Sequence, residues 1–385
     1  MALTGNKHAD RGLRENLAAI ALWRGIENPF GEKVASALAE YGATLLNASK
    51  VDQSLVPNRE ALDMLRRIHG GVHADIAVVA SNIGVALITL GRVEESLVPL
   101  SEAVEVDRKV YGSKHRALAV HLSNLGAAQL AIGHLDRAEN AFRESVAVRS
   151  ALYGEDSAET AKSKNNLAGA LTQMEEFAEV ENLLRPAIVA FEKAEGDWRR
   201  WISISESNLA FALVNLDRAD DARKAIDRAI ELRAQIEPDN SSKAALDLQS
   251  VVGKIEVHEG QLNLAEQQFQ EVLDRSLANL LENTAGLPDR YGELANVQFR
   301  LRKFAEAKAN FEEGIRLETK RAGINSTTMI RGRLGLAETF VQLHDKVAAR
   351  EQLTLVMPAV DALRPGHSQR KRAAELGAAL KDQTD

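Results

Sequence analysis

The chain contains no cysteine in its 385 residues. That excludes a disulfide framework, a thiolate nucleophile and a Cys-ligated zinc site, and it permits a reducing compartment. Aromatic residues make up only 4% of the chain and proline occurs 8 times, against an apolar content of 45%. This is the profile of Ala/Leu-rich helices packed through small side chains, not of a sheet sandwich. No run of 18 apolar residues occurs, so no membrane span is expected. The first 30 residues carry Asp10, Glu15 and Glu27 and lack an apolar core followed by a cleavage site, which is not the pattern of a secretory signal. Positive charge is also short. A net charge of −7 argues against general nucleic-acid affinity, which rests on neutralising phosphates. The expectation is a soluble, cytoplasmic protein.

What the chain does have is a repeat. Ser81-Asn82-Ile83-Gly84 returns as Ser123-Asn124-Leu125-Gly126, Asn165-Asn166-Leu167-Ala168 and Ser207-Asn208-Leu209-Ala210, each copy 42 residues after the last. Extending the small residue of that phrase gives Gly42, Gly84, Gly126, Ala168 and Ala210, then, after one extra residue, Gly253, Ala295 and Ala337. Twelve residues beyond each anchor stands Ser54, Ser96, Ala138, Val180, Ala222, Ala265, Ala307 or Ala349. Sixteen beyond stands Leu100, Phe142, Leu184, Ile226, Phe269, Phe311 or Leu353, with Asn58 the exception in the first copy. Small positions alternating with large ones are how crossing helices interdigitate. A period of this length in an all-helical pattern predicts an all-α right-handed superhelical solenoid of about eight antiparallel helix pairs.

These residues resemble the tetratricopeptide repeat. The 42-residue length, with Tyr111-Gly112 or Tyr153-Gly154 closing the second helix, is similar to the long variant of kinesin light chains and of many bacterial regulators. The resemblance covers residues 34–364 and implies a general scaffold for proteins and peptides, with the first helix of each pair lining the concave surface. Gly70, Gly112, Gly154 and Gly196 are again 42 apart where second helices stop; Gly323 continues that series, and Pro238 and Pro365 replace Gly in other copies. The pattern predicts Ala74–Leu90 with Val93–Val110, and Arg116–Ile132 with Leu135–Leu152. Residues 1–33 hold a helix over 10–24, followed by Asn28-Pro29-Phe30-Gly31. It is either an N-terminal cap or a second helix whose partner would precede Met1 in a longer protein. Ser368–Lys381, within 365–385, reads as a C-terminal capping helix.

Counting the anchor as position eight, the inward stripe is positions two, five, six, nine and thirteen. The sixth is Asn82, Asn124, Asn166 and Asn208; the fifth is Ser81, Ser123, Asn165 and Ser207. Asn is a poor helix-interior residue because its amide competes for backbone hydrogen bonds, so four at one phase need a cause. Either they form a ladder of carboxamides that grips the main chain of an extended peptide, or they bond between neighbouring first helices and stiffen the array. Val78, Val85, Val120 and Phe211 are candidate anchors for apolar ligand side chains. Lys162 alone stands where the carboxylate clamp implied by the resemblance would need a cation. Farther along, the stripe becomes Asp247, Lys254, Asp289, Glu293 and Arg331, so the two halves should prefer different ligand segments. Trp198, Arg199, Arg200 and Trp201, in the loop that departs from the pattern, form a candidate partner hot spot or fill a gap between repeats.

No phosphate loop, dinucleotide fingerprint or nucleophile elbow occurs, and no catalytic pair stands at a usable spacing. His69 and His73 flank Gly70-Gly71 and read as loop residues rather than metal ligands, and His258-Glu259 lacks the second His of a zincin. The basic run Arg364, Arg370, Lys371 and Arg372 reads as a solvated cap rather than a contact for an acidic partner or nucleic acid. The expected function is a non-enzymatic binding scaffold for a protein or extended peptide, without cofactor or metal. The alternative is a regulatory, signal-sensing array, as in repeat-tailed kinases or peptide-responsive bacterial regulators.

Overall fold

The computed structural model describes residues 2–26, 31–237, 242–278, 286–321 and 326–381. Among them are 18 helices and no strand. In chain order they are α1 (Ala2–Ile26), α2 (Glu32–Asn47), α3 (Val51–His69), α4 (Ala74–Thr89), α5 (Val93–Tyr111), α6 (Arg116–Ala131), α7 (Leu135–Tyr153), α8 (Ala158–Gln173) and α9 (Phe177–Lys193). Then follow α10 (Arg199–Asn215), α11 (Ala219–Ile236), α12 (Lys243–His258), α13 (Leu262–Ala278), α14 (Leu287–Arg300), α15 (Phe304–Arg321), α16 (Thr327–Gln342), α17 (Lys346–Asp361) and α18 (Ser368–Lys381). Pairs from α2·α3 to α16·α17 are the hairpins of an α-solenoid, and α1 packs on α2 as α18 does on α17. The expected ends of α4 to α7 and of α18 agree to within one residue, whereas α1 runs beyond the expected 10–24 at both ends. Asn28, Pro29, Phe30, Pro238 and Gly323 lie outside the described residues.

The turn inside each hairpin explains where the first helix stops. The second residue past the helix is left-handed in every copy: Ser49, Gly91, Gly133, Glu175, Asp217, Gly260, Arg302 and His344 all have positive φ. The chain then closes back on the helix, as in Arg92 N–H to Leu87 O (2.8 Å) and Glu176 N–H to Leu171 O (2.9 Å). That is the Schellman geometry, which satisfies carbonyls the helix end would otherwise leave bare.

The anchors are the points of closest helix approach. A Cβ on Gly84 would lie 2.4 Å from Leu100, on Gly126 2.9 Å from Phe142 and on Gly253 2.8 Å from Phe269. Each is a contact between an anchor and the large residue sixteen further on. Ala168, Ala210, Ala295 and Ala337 are fully buried at the same place, as are all eight small residues of the offset-twelve series. The exception, Asn58, is also fully buried, with its amide against Gly42. Asn58 Nδ2 donates to Ser54 O (2.9 Å), but Oδ1 has no partner. Leu occupies the equivalent place beside Gly84, so Asn58→Leu is expected to raise stability by about 1–2 kcal/mol by removing an unsatisfied buried acceptor. Thermal unfolding checks this, and a lower melting point would mean that the amide is better accommodated than its contacts indicate.

The chain divides into two compact units, residues 1–131 with 140–152, and 132–139 with 153–385. In the first, a series of ion pairs links successive second helices: Arg24 to Glu60, Arg66 to Glu102 (2.6 Å) and Arg108 to Glu144 (2.6 Å). Each is a solvent-facing pair worth at most ~1 kcal/mol. A buried polar contact, His121 Nδ1 to Asp107 (2.7 Å), joins α6 to α5.

The second unit folds back on itself. The turn before α18 docks on the α8–α9 turn, nearly 200 residues earlier. Arg364 pairs with Asp136 (3.0 Å) and Glu139, and lies 3.6 Å from Glu176. His367 Nε2 meets Gln173 O at 3.0 Å, and Ser368 donates from its backbone N to Glu175 Oε2 (2.7 Å) and from its hydroxyl to Glu175 Oε1. Thr327 Oγ1 reaches Gln173 Oε1 at 3.0 Å. The basic run is therefore not a free solvated patch. Arg370 donates to the carbonyls of Asp361 and Leu363, Arg372 grips Glu338, and Lys371 lies 3.8 Å from Glu375.

Candidate functional site

In the first unit the predicted stripe separates into a buried row and an open one. Ser81 and Ser123 are buried, so they do not face a ligand as the sequence pattern suggested. Ser123 Oγ is held by Ala119 O and Ser145 Oγ (both 2.9 Å). Asn124 spends an amide hydrogen on Ser81 Oγ of the preceding first helix (3.0 Å), whereas Asn82 is half-buried with no hydrogen bond among the described residues. Val78, Val85 and Val120 are 48%, 36% and 42% exposed, giving an apolar surface beside the two amides.

The second unit repeats the arrangement. Asn165 is buried, and its Oδ1 accepts from Ser205 Oγ and Asn208 Nδ2, both at 3.2 Å. Asn166 and Ser207 are half-buried and make no hydrogen bond among the described residues. Lys162 is engaged: it pairs with Glu159 (2.8 Å) and lies over the rings of Trp198 (4.8 Å) and Trp201 (5.8 Å). Both indoles stack on Phe191 of α9, and Trp198 Nε1 donates to Glu195 O (2.9 Å). The two tryptophans thus fill the joint between α8, α9 and α10. Only Trp198 precedes the helix, as its N-cap; Arg199, Arg200 and Trp201 form its first turn, not a loop. Arg199 binds Asp197 (2.7 Å), and this pairing lowers the Asp197 carboxyl to about 2; Arg200 is exposed.

The best-formed concavity lies farther along, where α10, α12, α14 and α16 surround a cavity of about 370 Å³. Its size falls within the ~300–1,000 Å³ typical of ligand pockets. The walls are apolar: Phe211, Val214, Val257, Val297 and Ile315, with Phe269 and Phe311 from the second helices behind them. Four residues read from the sequence as the changed stripe, Lys254, Asp289, Glu293 and Arg331, meet here. Lys254 Nζ pairs with Glu293 Oε1 (2.7 Å) and lies 4.7 Å above the Phe211 ring. Arg331 and the Thr328 hydroxyl both reach Asp289 Oδ1 at 2.8 Å. Desolvation, the largest influence on Asp289, would raise its pKa, but Arg331, Thr328 and Lys254 together hold it below the usual carboxylate range. The Asp289 carboxylate therefore stays charged at neutral pH.

Three lining residues escaped the sequence reading. Asn215 and Arg300 are thirteenth positions and Asn296 a ninth, so the same phase contains the signal that would have found them. Asn215 and Asn296 donate Nδ2 to the carbonyl four residues earlier (2.8 and 2.9 Å), which leaves each amide oxygen as an acceptor. Glu293 Oε2 is buried with no hydrogen-bond partner. Arg300 donates to Val257 O (3.2 Å) and has no carboxylate partner among the described residues. A second cavity, about 250 Å³, shares Phe211, Asn215 and Arg331 with the first and ends at Gln173, Glu175 and His367.

A cluster with metal-ligand chemistry, Glu32, His69 and His73, has ligand atoms within 4.8 Å of one another. The rings of His69 and His73 stack at 3.9 Å, as Tyr111 and His115 do one repeat later at 3.7 Å. The stack is thus a repeat packing feature that needs no ion. His69 is the last residue of α3 and His73 caps α4 by accepting from Asp75 N–H (3.3 Å), so neither is a free loop residue.

Residues 75–151 and 160–197 each match a family model described as a tetratricopeptide repeat. Those two segments carry tetratricopeptide repeats. Solved structures with this fold include a Rap protein complexed with competence and sporulation factor, at 14% identity and TM-score 0.58, with 90% of this chain and 97% of that one aligned. The quorum sensor NprR from B. thuringiensis, in its apo form, aligns at 15% identity and TM-score 0.55 over 92% and 99%. Apo RapI aligns at 12% identity and TM-score 0.60 over 74% and 98%. No curated protein matches the chain. Among the described residues no helix of this repeat array is long and apolar enough to cross a membrane.

Proposed function

We propose that the chain is a non-enzymatic binding module that holds protein or extended peptide segments against the first helices of its repeats. The observation that carries this reading is unspent hydrogen-bonding capacity beside open apolar surface. Asn82 and Asn166 keep both donor and acceptor free, and Asn124 and Asn208 keep part of theirs. In each unit the amides offer a main-chain grip that is indifferent to ligand side chains, while Val78, Val85 and Val120, or Phe211, supply apolar contact. At a net ~0.5–1.5 kcal/mol per hydrogen bond, amides alone give weak capture, so the apolar contacts must contribute most of the affinity. Trp198 and Trp201, packed on Lys162 with Arg199 and Arg200 alongside, serve in this reading as an auxiliary contact for a partner.

The test is capture on an array of random twelve-residue peptides by wild type, Asn82→Ala/Asn166→Ala and Asn124→Ala. The double variant is expected to keep its helicity and melting point and to lose about three- to tenfold in retention per amide. Asn124→Ala, which breaks the bond to Ser81, should instead lower the melting point. Undiminished retention by the double variant would remove the asparagines from the site.

A regulatory reading gains support from the polar closure of the second unit, because a turn held by ion pairs is one that ligand binding can open or tighten. The fold shared with a Rap protein complexed with competence and sporulation factor and with the quorum sensor NprR supports the same direction. In this form the peptide is a signal and the array a bacterial-type sensor.

A further inference from the structure

We infer that the cavity between α10, α12, α14 and α16 receives a bulky apolar side chain of an extended peptide, with an adjacent acidic side chain held by Arg300. The inference rests on the peptide-binding reading and names the ligand class for one place in it. Charge decides the acidic part. Of the three lining cations, Lys254 and Arg331 are neutralised by Glu293 and Asp289 at 2.7 and 2.8 Å, while among the described residues Arg300 meets only a carbonyl oxygen. An exposed guanidinium at the mouth of an apolar cavity is a ready site for a carboxylate.

The remaining polar groups decide the backbone part. Glu293 Oε2, Asn215 Oδ1 and Asn296 Oδ1 are acceptors without donors, and main-chain N–H groups of an extended strand are the donors that fit them. The site continues into the second cavity past Phe211 and Asn215, and Arg300 stands in solvent. Neither place closes off a chain, which favours an internal Asp or Glu over a terminal carboxylate.

Space for the apolar side chain comes from Gly292. A Cβ built there meets nothing within 4 Å, so the residue borders the void rather than a close helix contact. Gly292→Leu fills the void from an α-helix that gains propensity by the exchange, so the fold should hold. The companion variant is Arg300→Glu.

The experiment uses the full chain and an array of octapeptides in a Gly/Ser frame with two adjacent central positions varied through all residues. Wild type should retain apolar–acidic pairs at least about tenfold above the bare frame. Gly292→Leu should abolish the apolar preference at unchanged melting temperature, and Arg300→Glu should exchange the acidic preference for a basic one. Wild-type enrichment that ignores both substitutions but falls in Asn82→Ala/Asn166→Ala overturns this inference and leaves the wider reading standing. Enrichment confined to peptides with a free C-terminal carboxylate, tested by comparing amidated copies, overturns the assignment to an internal acidic residue. Failure of wild type to retain any peptide on either array overturns both.

Discussion

Gly84→Ala is expected to destabilise the first unit by about 1–3 kcal/mol, although exchanging Gly for Ala inside a helix ordinarily gains ~1 kcal/mol. The added methyl would lie 2.4 Å from Leu100 Cγ, and Leu100 is fully buried, so α4 and α5 must move apart or Leu100 must leave its rotamer. Contact with a branch-point carbon cannot be relieved by swinging a terminal methyl. Overpacking therefore outweighs the propensity gain. Leu100→Ala alone should cost ~2–5 kcal/mol through the cavity it leaves. Combined with Gly84→Ala it should cost less than the two added together, because each change relieves the other. Urea unfolding of the four proteins measures that coupling. Strict additivity would mean that residues 84 and 100 do not meet across the α4–α5 crossing.

The same contact explains why so much of the fold was legible. A Gly or Ala at one phase and a large residue sixteen positions on are two halves of one physical contact, and the sequence displays both. Helix ends were legible where Gly70 or Gly112 marks them. They were less so at Ser49, Glu175, Asp217, Arg302 and His344, where the same left-handed turn is made by residues that reveal nothing of it in sequence. There the fixed length of the repeat imposes the geometry against local preference.

The site was legible in phase but not in depth. Periodicity placed Lys254, Asp289, Glu293 and Arg331 on one face, and they do line one cavity. It could not reveal that neighbouring charges neutralise each other in pairs and leave Arg300 over. Nor could it separate the fifth position from the sixth: a rotation of one residue, about 100°, takes Ser81 into the joint between helices and leaves Asn82 half outside. In Asn124 and Asn208 a bond back to the preceding repeat and a free acceptor coexist, so the stiffening contact does not consume the whole amide.

The largest expected effect on conformation comes from the closure of the second unit. Arg364→Glu places a fourth carboxylate among Asp136, Glu139 and Glu176, converting attraction into repulsion at one point. Glu175→Gly acts differently: it removes the acceptor of both Ser368 bonds while giving the α8–α9 turn a residue that adopts φ of +64° without strain. A purely local view therefore expects Glu175→Gly to stabilise, whereas the closure expects it to release the α18 turn. In hydrogen exchange, amides of 172–177 and 363–369 should exchange at least about tenfold faster in both variants, with the helical core of the unit unchanged. Wild type should drift the same way as salt is raised, because charged pairs carry much of the closure. Faster exchange confined to 363–369 would show that the α8–α9 turn is held by its own hairpin. Unchanged exchange in both variants would mean that Leu363 and its apolar neighbours, not the charges, keep the turn shut.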